Sequence, residues 1–105
     1  MKLYHATDFD NLGKILAEGL KPSAGVIYLA ESYEKALAFL SLRNIDTIVV
    51  LELEVDIEKC TESFDHNEKM FCSLFHFDTC RAWTYDKTIE VDDIDFSKAR
   101  KYDRK

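Results

Sequence analysis

The sequence has very little of what long linkers and disulfide frameworks require. Its 105 residues include one proline and three glycines, so we expect no flexible linker and a single domain over residues 1–105. The number of cysteines, three, is odd, and no two of them form a C-x-x-C pair. The sequence therefore indicates neither a disulfide framework nor a zinc site. We expect Cys60, Cys72 and Cys80 to be reduced and buried, and we expect no bound metal.

Long apolar runs are also missing. A run such as Thr47 to Leu51 is far shorter than the roughly 20 apolar residues that cross a bilayer as a helix. The segment from Met1 to His5 lacks the apolar core of a signal peptide. The expectation is therefore a cytoplasmic protein without a membrane partner.

Positive charge is scarce outside the C-terminal end. The net charge is −6, and residues 98–105 carry +4, which leaves −10 on residues 1–97. So acidic a body repels a phosphate backbone, and only the basic tail favours nucleic acid. A protein partner is favoured over nucleic acid.

Periodic patterns predict an α+β fold in which helices come early and most strands come late. Asp8 can cap a first helix that stops near Gly19, and Ser32 can cap a second one over about 32–43. The clearest strand covers 47–55, with Glu52 and Glu54 expected to face solvent. Further strands are predicted at 3–5, around Tyr28, at 81–85, 88–91 and 96–102, and a short helix within 67–77.

Two aromatic residues stand eleven positions apart around the second predicted helix. Tyr28 lies near the end of a strand, and Phe39 lies on the helix that follows. Rings placed in this way can face each other across a slot that accepts a flat ring. Short motifs surround them in a fixed order: Leu3-Tyr4-His5-Ala6-Thr7, then Ile15-Leu16-Ala17-Glu18-Gly19-Leu20-Lys21-Pro22, then Gly25-Val26-Ile27-Tyr28-Leu29-Ala30-Glu31.

The order and spacing of these motifs resemble the ADP-ribosyltransferase superfamily over about residues 3–55. The similarity is to the His-Tyr-Glu branch, which includes diphtheria toxin and the poly(ADP-ribose) polymerases. The resemblance implies a compact fold with two early helices packed on a split, antiparallel-rich sheet. The tRNA 2′-phosphotransferases share the fold and the IL-x-EGLKP segment, but usually carry His at the position of Tyr28.

The resemblance also implies that NAD is a substrate and assigns roles in binding it. His5 would donate a hydrogen bond to a ribose hydroxyl, and the backbone of Ala6 would hold the nicotinamide carboxamide. Thr7 would brace the loop. Tyr28 and Phe39 would sandwich the nicotinamide ring. His5 and Tyr28 would thus belong to the catalytic set together with a carboxylate.

The carboxylate that would stabilise a cationic ribose in the transition state is the least defined member of this set. Glu90 is the first choice because it lies in the strand-like stretch 88–91, and Asp86 is the rival. Glu62 and Glu68 are remote alternatives. No Gln/Glu-x-Glu motif exists, so the arginine-directed toxin subclass is not supported.

Three departures from the family pattern keep other functions open. Ala6 replaces the usual Gly, Ala36 replaces the Ser of the polymerases, and Phe39 lacks the usual hydroxyl. The leading hypothesis is a small mono-ADP-ribosyltransferase, a glycosyltransferase that modifies a protein acceptor and releases nicotinamide. Its size suggests a toxin or an effector of a phage or defence system.

The alternatives are an RNA 2′-phosphotransferase and a non-catalytic module that binds NAD, ADP-ribose or a protein. Asp65 and His66 were a further candidate, as a second polar site or part of an acceptor loop. A surface turn is the favoured interpretation of that pair.

Overall fold

One antiparallel sheet organises the chain. The structure is a computed structural model that describes residues 1–64 and 66–103. In this part of the chain six strands follow the order β4-β5-β2-β1-β3-β6. The elements are β1 (Lys2–Asp8), α1 (Leu12–Glu18), β2 (Ile27–Ala30), α2 (Tyr33–Ser41), β3 (Thr47–Glu54), β4 (Thr61–Ser63), α3 (Glu68–Phe75), β5 (Ala82–Tyr85) and β6 (Ile94–Asp103). The predicted α+β class is confirmed.

Local capping residues determine where the early helices begin and end. Asp8 caps a 3₁₀ turn, Phe9–Asn11, that leads into α1, and Gly19 ends α1 with a positive φ of 81°. Ser32 caps α2 through its hydroxyl oxygen, which accepts from the Lys35 N–H at 3.2 Å. The predicted cap of α2 and the predicted stop of α1 are therefore present, whereas Asp8 caps the 3₁₀ turn and not α1 itself.

The sheet has an apolar layer on each side. On one side, α1 and the loop after β5 pack on Leu3, Leu29 and Leu51, which are 0% exposed. On the other side, α2 covers Ala30 and Val50, and Ala38 of the same helix extends the layer to α3. Because the strands pass between these two layers, alternate residues of the central strands belong to different layers.

The predicted alternation of β3 is wrong at Glu52. The side chain was expected to face solvent, yet it is 7% exposed, on the side that α2 covers. Glu54, two residues further, is exposed as expected. The layer on the α2 side therefore extends further along β3 than the charged residues suggested.

The late part of the chain also differs from the expectation in two places. The stretch 88–91 is not a strand: Ile89 forms an isolated bridge with Leu20, and a 3₁₀ turn, Val91–Asp93, follows. The short strand β4 had no counterpart in the prediction, since three residues are too few to show a period. The helix within 67–77 and the late edge strand are confirmed as α3 and β6. In the described ranges, no helix has the length and apolar character needed to cross a membrane.

Candidate functional site

The sheet is split between β1 and β2. Strand β1 pairs with β3 at every residue from Lys2 to Asp8, and β2 pairs with β5 along its whole length. Between β1 and β2 the register contains a single pair, Tyr4 with Ala30. The sheet thus consists of two wings, β4-β5-β2 and β1-β3-β6, and we call the opening between Ala6–Thr7 and Ile27–Tyr28 the cleft. The predicted antiparallel sheet is confirmed, and β1 and β2 are its most sparsely paired neighbours.

The backbone of Ala6 points into this cleft. The Val55 N–H donates to the carbonyl of Met1 at 3.0 Å, so the backbone polar groups of Met1 face β3. The direction of the backbone N–H and C=O groups alternates along a strand. Those of the odd-numbered residues of β1 therefore point towards β3, and those of Tyr4 and Ala6 point towards β2. Ala6 has no paired residue on β2. One N–H and one C=O, side by side, are therefore directed at the gap.

His5 bridges the two wings with its side chain. Its Nδ1 lies 2.7 Å from the carbonyl oxygen of Tyr28. Because a carbonyl only accepts, Nδ1 carries the proton, and Nε2 of the neutral ring is an acceptor. Burial lowers the pKa of His5, against the opposing effect of the bond to Tyr28, and so favours the neutral ring at pH 7. A ribose hydroxyl would then donate to His5, the reverse of the direction that the resemblance implied.

Tyr28 is the exposed aromatic of the cleft. Its side chain is 47% exposed and lies opposite Thr84 of β5. Alternation places it on the face of β2 that Ala30 presents to α2. A planar ligand entering the cleft would find one face of this ring free to stack.

Phe39 is held within the core between α2 and α3. Its ring lies 5.2 Å from the ring of His66 and 5.3 Å from that of Phe71, in both cases edge to face. No ring contact joins it to Tyr28 among the residues that the structure describes. Phe39 thus forms part of the packing behind the cleft, and its proposed stacking on a ligand stays a prediction.

Thr7 has a bracing contact of the expected kind, although it lies in a strand and not in a loop. Its hydroxyl oxygen accepts from the side-chain amide of Asn11 at 3.0 Å. This bond ties the end of β1 to the 3₁₀ turn that precedes α1. The bond therefore stabilises β1 at Thr7, a residue on the open side of the cleft that has no paired residue on β2.

Glu90 is not part of the sheet. Two backbone bonds of 2.8 Å between Leu20 and Ile89 place it beside the end of α1, and its side chain is exposed. No hydrogen bond or ion pair connects it to His5 or Tyr28 within residues 1–64 and 66–103. The predicted strand over 88–91, which was the reason for choosing Glu90 as the catalytic carboxylate, is absent.

Asp86 lies closer to Tyr28 in the register. It directly follows Tyr85, which pairs with Ile27, and it stands two residues after Thr84, the partner of Tyr28. Two residues of extended chain correspond to about 7 Å. Asp86 is exposed. Of Asp86 and Glu90, Asp86 is therefore the one that follows directly on the strand paired with Tyr28.

The remaining acidic candidates have other partners. Glu62 forms a two-point ion pair with Arg81, with N–O distances of 2.7 and 3.1 Å, and Arg81 lowers the pKa of the Glu62 carboxyl. Glu68 accepts from the Cys80 N–H at 2.9 Å. Both carboxylates thus serve local structure around β5.

Of the pair at 65–66, Asp65 lies outside the described residues. The ring of His66 packs against Phe39 and Phe71, and its Nε2 hydrogen-bonds to the carbonyl of Cys80. His66 therefore packs between α2 and α3, whereas the sequence favoured a surface turn at this position.

Two open depressions lie away from the cleft. They measure about 400 and 470 Å³, and neither is lined by His5, Tyr28 or Phe39. Both share Glu54 and Asp93. In the described part of the chain, no three His, Cys, Asp or Glu side chains gather as a metal site would require.

Two features of the cleft were missed in the sequence. The direction of the Ala6 backbone depends on the register with β3, and Thr84 becomes a neighbour of Tyr28 only through the pairing of β2 with β5. Neither leaves a local signal in the sequence. No protein-family model matches the chain, and no curated protein matches it.

Proposed function

We propose that this protein binds NAD in the cleft and transfers its ADP-ribose to a protein acceptor, with release of nicotinamide. The observation that carries the proposal is the single register pair between β1 and β2, which leaves Ala6 without a paired residue on β2, beside the exposed ring of Tyr28. An unpaired backbone N–H and C=O are costly unless water or a ligand satisfies them. A carboxamide offers one acceptor and one donor at matching spacing.

The other groups of the cleft fit the rest of the nicotinamide riboside. Tyr28 offers a ring face for the pyridinium, which is cationic and therefore attracted to an aromatic face. His5 offers Nε2 as an acceptor for a ribose hydroxyl. Together these residues would orient the bond between the pyridinium nitrogen and the ribose carbon.

The chemistry needs a negative charge close to that bond. As the bond breaks, its electron pair leaves with nicotinamide and the ribose carbon becomes cationic, until a nucleophile of the acceptor attacks it. A fixed carboxylate stabilises that cation. The register favours Asp86 for this role over Glu90.

A second candidate function is binding of NAD or ADP-ribose without transfer. The position of Glu90 beside α1 supports it, since the first-choice carboxylate lies outside the sheet. In this case the cleft would bind the ligand without bond cleavage, and nicotinamide would not be released.

The experiment that separates these functions uses the purified protein, NAD and a lysate as the source of acceptors. A ligand that binds only the folded state adds RT ln(1 + [L]/Kd) to the free energy of unfolding and so raises the melting temperature. Transfer predicts such a shift, released nicotinamide and labelled lysate protein from labelled NAD. Binding alone predicts the shift without the label.

Tyr28→Ala tests the cleft and Phe64→Ala is the matched control, because Phe64 is another exposed aromatic, 77% exposed, outside the cleft. The shift should disappear in the first variant and persist in the second. The absence of any shift with millimolar NAD in the wild type would overturn both functions.

A further inference from the structure

The residue that joins the two wings is also tied to a buried carboxylate. Tyr4 is the one residue of β1 whose register pair lies on β2. Its hydroxyl donates to Oε1 of Glu52 at 3.2 Å. Glu52 belongs to β3 and is 7% exposed. The junction of the wings is thus anchored to a neighbouring strand by a side-chain bond, in addition to its backbone pair.

Tyr33 reaches the same place from the other wing. It follows Ala30, the last residue of β2, by three positions, and begins α2. Its hydroxyl lies 2.7 Å from the carbonyl oxygen of Lys98 on β6 and 3.5 Å from Oε1 of Glu52. A phenol has one proton, so its main bond goes to the nearer Lys98 carbonyl. Tyr33 therefore links the end of one wing to the outer strands of the other.

The two tyrosine rings pack against each other and are covered by a cation. Their centroids are 4.5 Å apart, and the guanidinium of Arg100 lies 3.8 Å from the centroid of Tyr33. Burial, followed by the charge of Glu52, raises the pKa of both Tyr4 and Tyr33, so both phenols remain proton donors at neutral pH. The second oxygen of Glu52 lies 3.6 Å from the ammonium of Lys2.

A buried carboxylate is a poor source of stability, because the loss of hydration offsets much of what its partners supply. The bond that Glu52 accepts from Tyr4 is 3.2 Å long, longer than the usual charge-assisted bond. The position of Glu52 at the junction is therefore better explained by the strand orientation that its bonds fix than by a contribution to the free energy of unfolding. Directional bonds fix an angle between strands in a way that apolar packing does not.

We propose that Tyr33 clamps the two wings together through its bond to the Lys98 carbonyl and its ring contact with Tyr4, and that Glu52 orients the Tyr4 ring for this contact. The clamp fixes the opening between the wings and so positions Ala6 and His5 at the cleft. All three are positioning residues, since none of them is required to touch a ligand. The effect on NAD rests on the proposed function, whereas the effect on the opening does not.

Amide hydrogen exchange, followed by NMR in the ligand-free protein, tests the clamp directly. The variants are Tyr33→Phe, which removes the bond to the Lys98 carbonyl, and Tyr4→Phe, which removes the bond to Glu52, and each retains its ring. The control is Glu54→Gln, which removes a charge from the same strand, where it pairs with the N-terminus at 3.1 Å. The Tyr4 and Ala30 amides should exchange about tenfold faster in both test variants, while the Leu53 amide keeps its rate. The double variant should add little to either single change.

Equal acceleration at Leu53, or none at Ala30, in Tyr33→Phe would overturn the clamp. Should Tyr4→Phe fail to fold, Tyr33→Phe alone still decides, since it removes one hydroxyl and retains the ring. A parallel titration with NAD should show a Kd several-fold higher in both test variants and unchanged in Glu54→Gln. If the wild type itself does not bind NAD, the proposed function fails and hydrogen exchange still decides the clamp.

Discussion

The Nδ1 of His5 and the carbonyl oxygen of Tyr28 lie 2.7 Å apart, at the level where the pairing of β1 with β2 has already ended. A side chain thus makes the contact that a backbone N–H would make in a continuous sheet. This side-chain contact occurs where Ala6 has no register pair on β2, and it fixes the tautomer of the imidazole. The bond between His5 and Tyr28 is therefore associated both with the cleft and with the availability of Nε2 of His5 as an acceptor.

The first prediction concerns pH. Burial sets the folded pKa of His5 below its ordinary value of 6.5, so the unfolded chain takes up the proton first as the pH falls. The contribution of His5 to the free energy of unfolding should be complete above pH 6.5 and decrease below it. Urea unfolding between pH 5 and 8 should show a steeper loss in the wild type than in His5→Gln. Parallel curves would contradict a lowered pKa of His5 in the folded protein.

The second prediction concerns the carboxylate. Asp86→Asn should reduce release of nicotinamide by a factor of about 10² to 10³ while the Kd for NAD changes little, because the charge acts mainly in the transition state. Glu90→Gln is the matched control and should retain activity. The reverse result, with Glu90→Gln inactive, would refute the assignment made from the register of β5.

The third prediction concerns the end of α1. A Cβ added to Gly19 would lie 2.7 Å from the carbonyl oxygen of Ile89, and the φ of 81° is unfavourable for other residues. Gly19→Ala should lower the free energy of unfolding by about 1–3 kcal/mol. Gly13 has nothing within 4 Å of an added Cβ, so Gly13→Ala should stabilise by about 0.5–1 kcal/mol. Similar effects at both positions in chemical denaturation would contradict the bridge at Leu20.

Local chemistry made the early part of the fold predictable. Ser32 and Gly19 mark helix ends by side-chain capping and by backbone freedom, which require no knowledge of distant residues. The candidate residues His5 and Tyr28 were likewise found from short motifs. They are joined in the structure through a backbone carbonyl and not through their side chains.

What could not be predicted depends on register between distant strands. The burial of Glu52 follows from Tyr4 and Tyr33, which lie 48 and 19 residues away in the chain. The place of Asp86 beside the cleft follows from the pairing of Tyr85 with Ile27. Alternation within one strand reveals neither the burial of Glu52 nor the place of Asp86. The sequence pattern therefore favoured Glu90 as the catalytic carboxylate and an exposed position for Glu52.

The central claim is that nicotinamide-containing ligands bind between β1 and β2. The most direct measurement is a titration of ¹⁵N-labelled protein with NAD, and separately with nicotinamide, followed through the backbone amide signals. Binding in the cleft predicts saturable shifts that are largest at Ala6, Thr7 and Tyr28 and are lost in Tyr28→Ala. No shift at millimolar ligand, or shifts confined to the acidic depressions around Glu54 and Asp93, would contradict it.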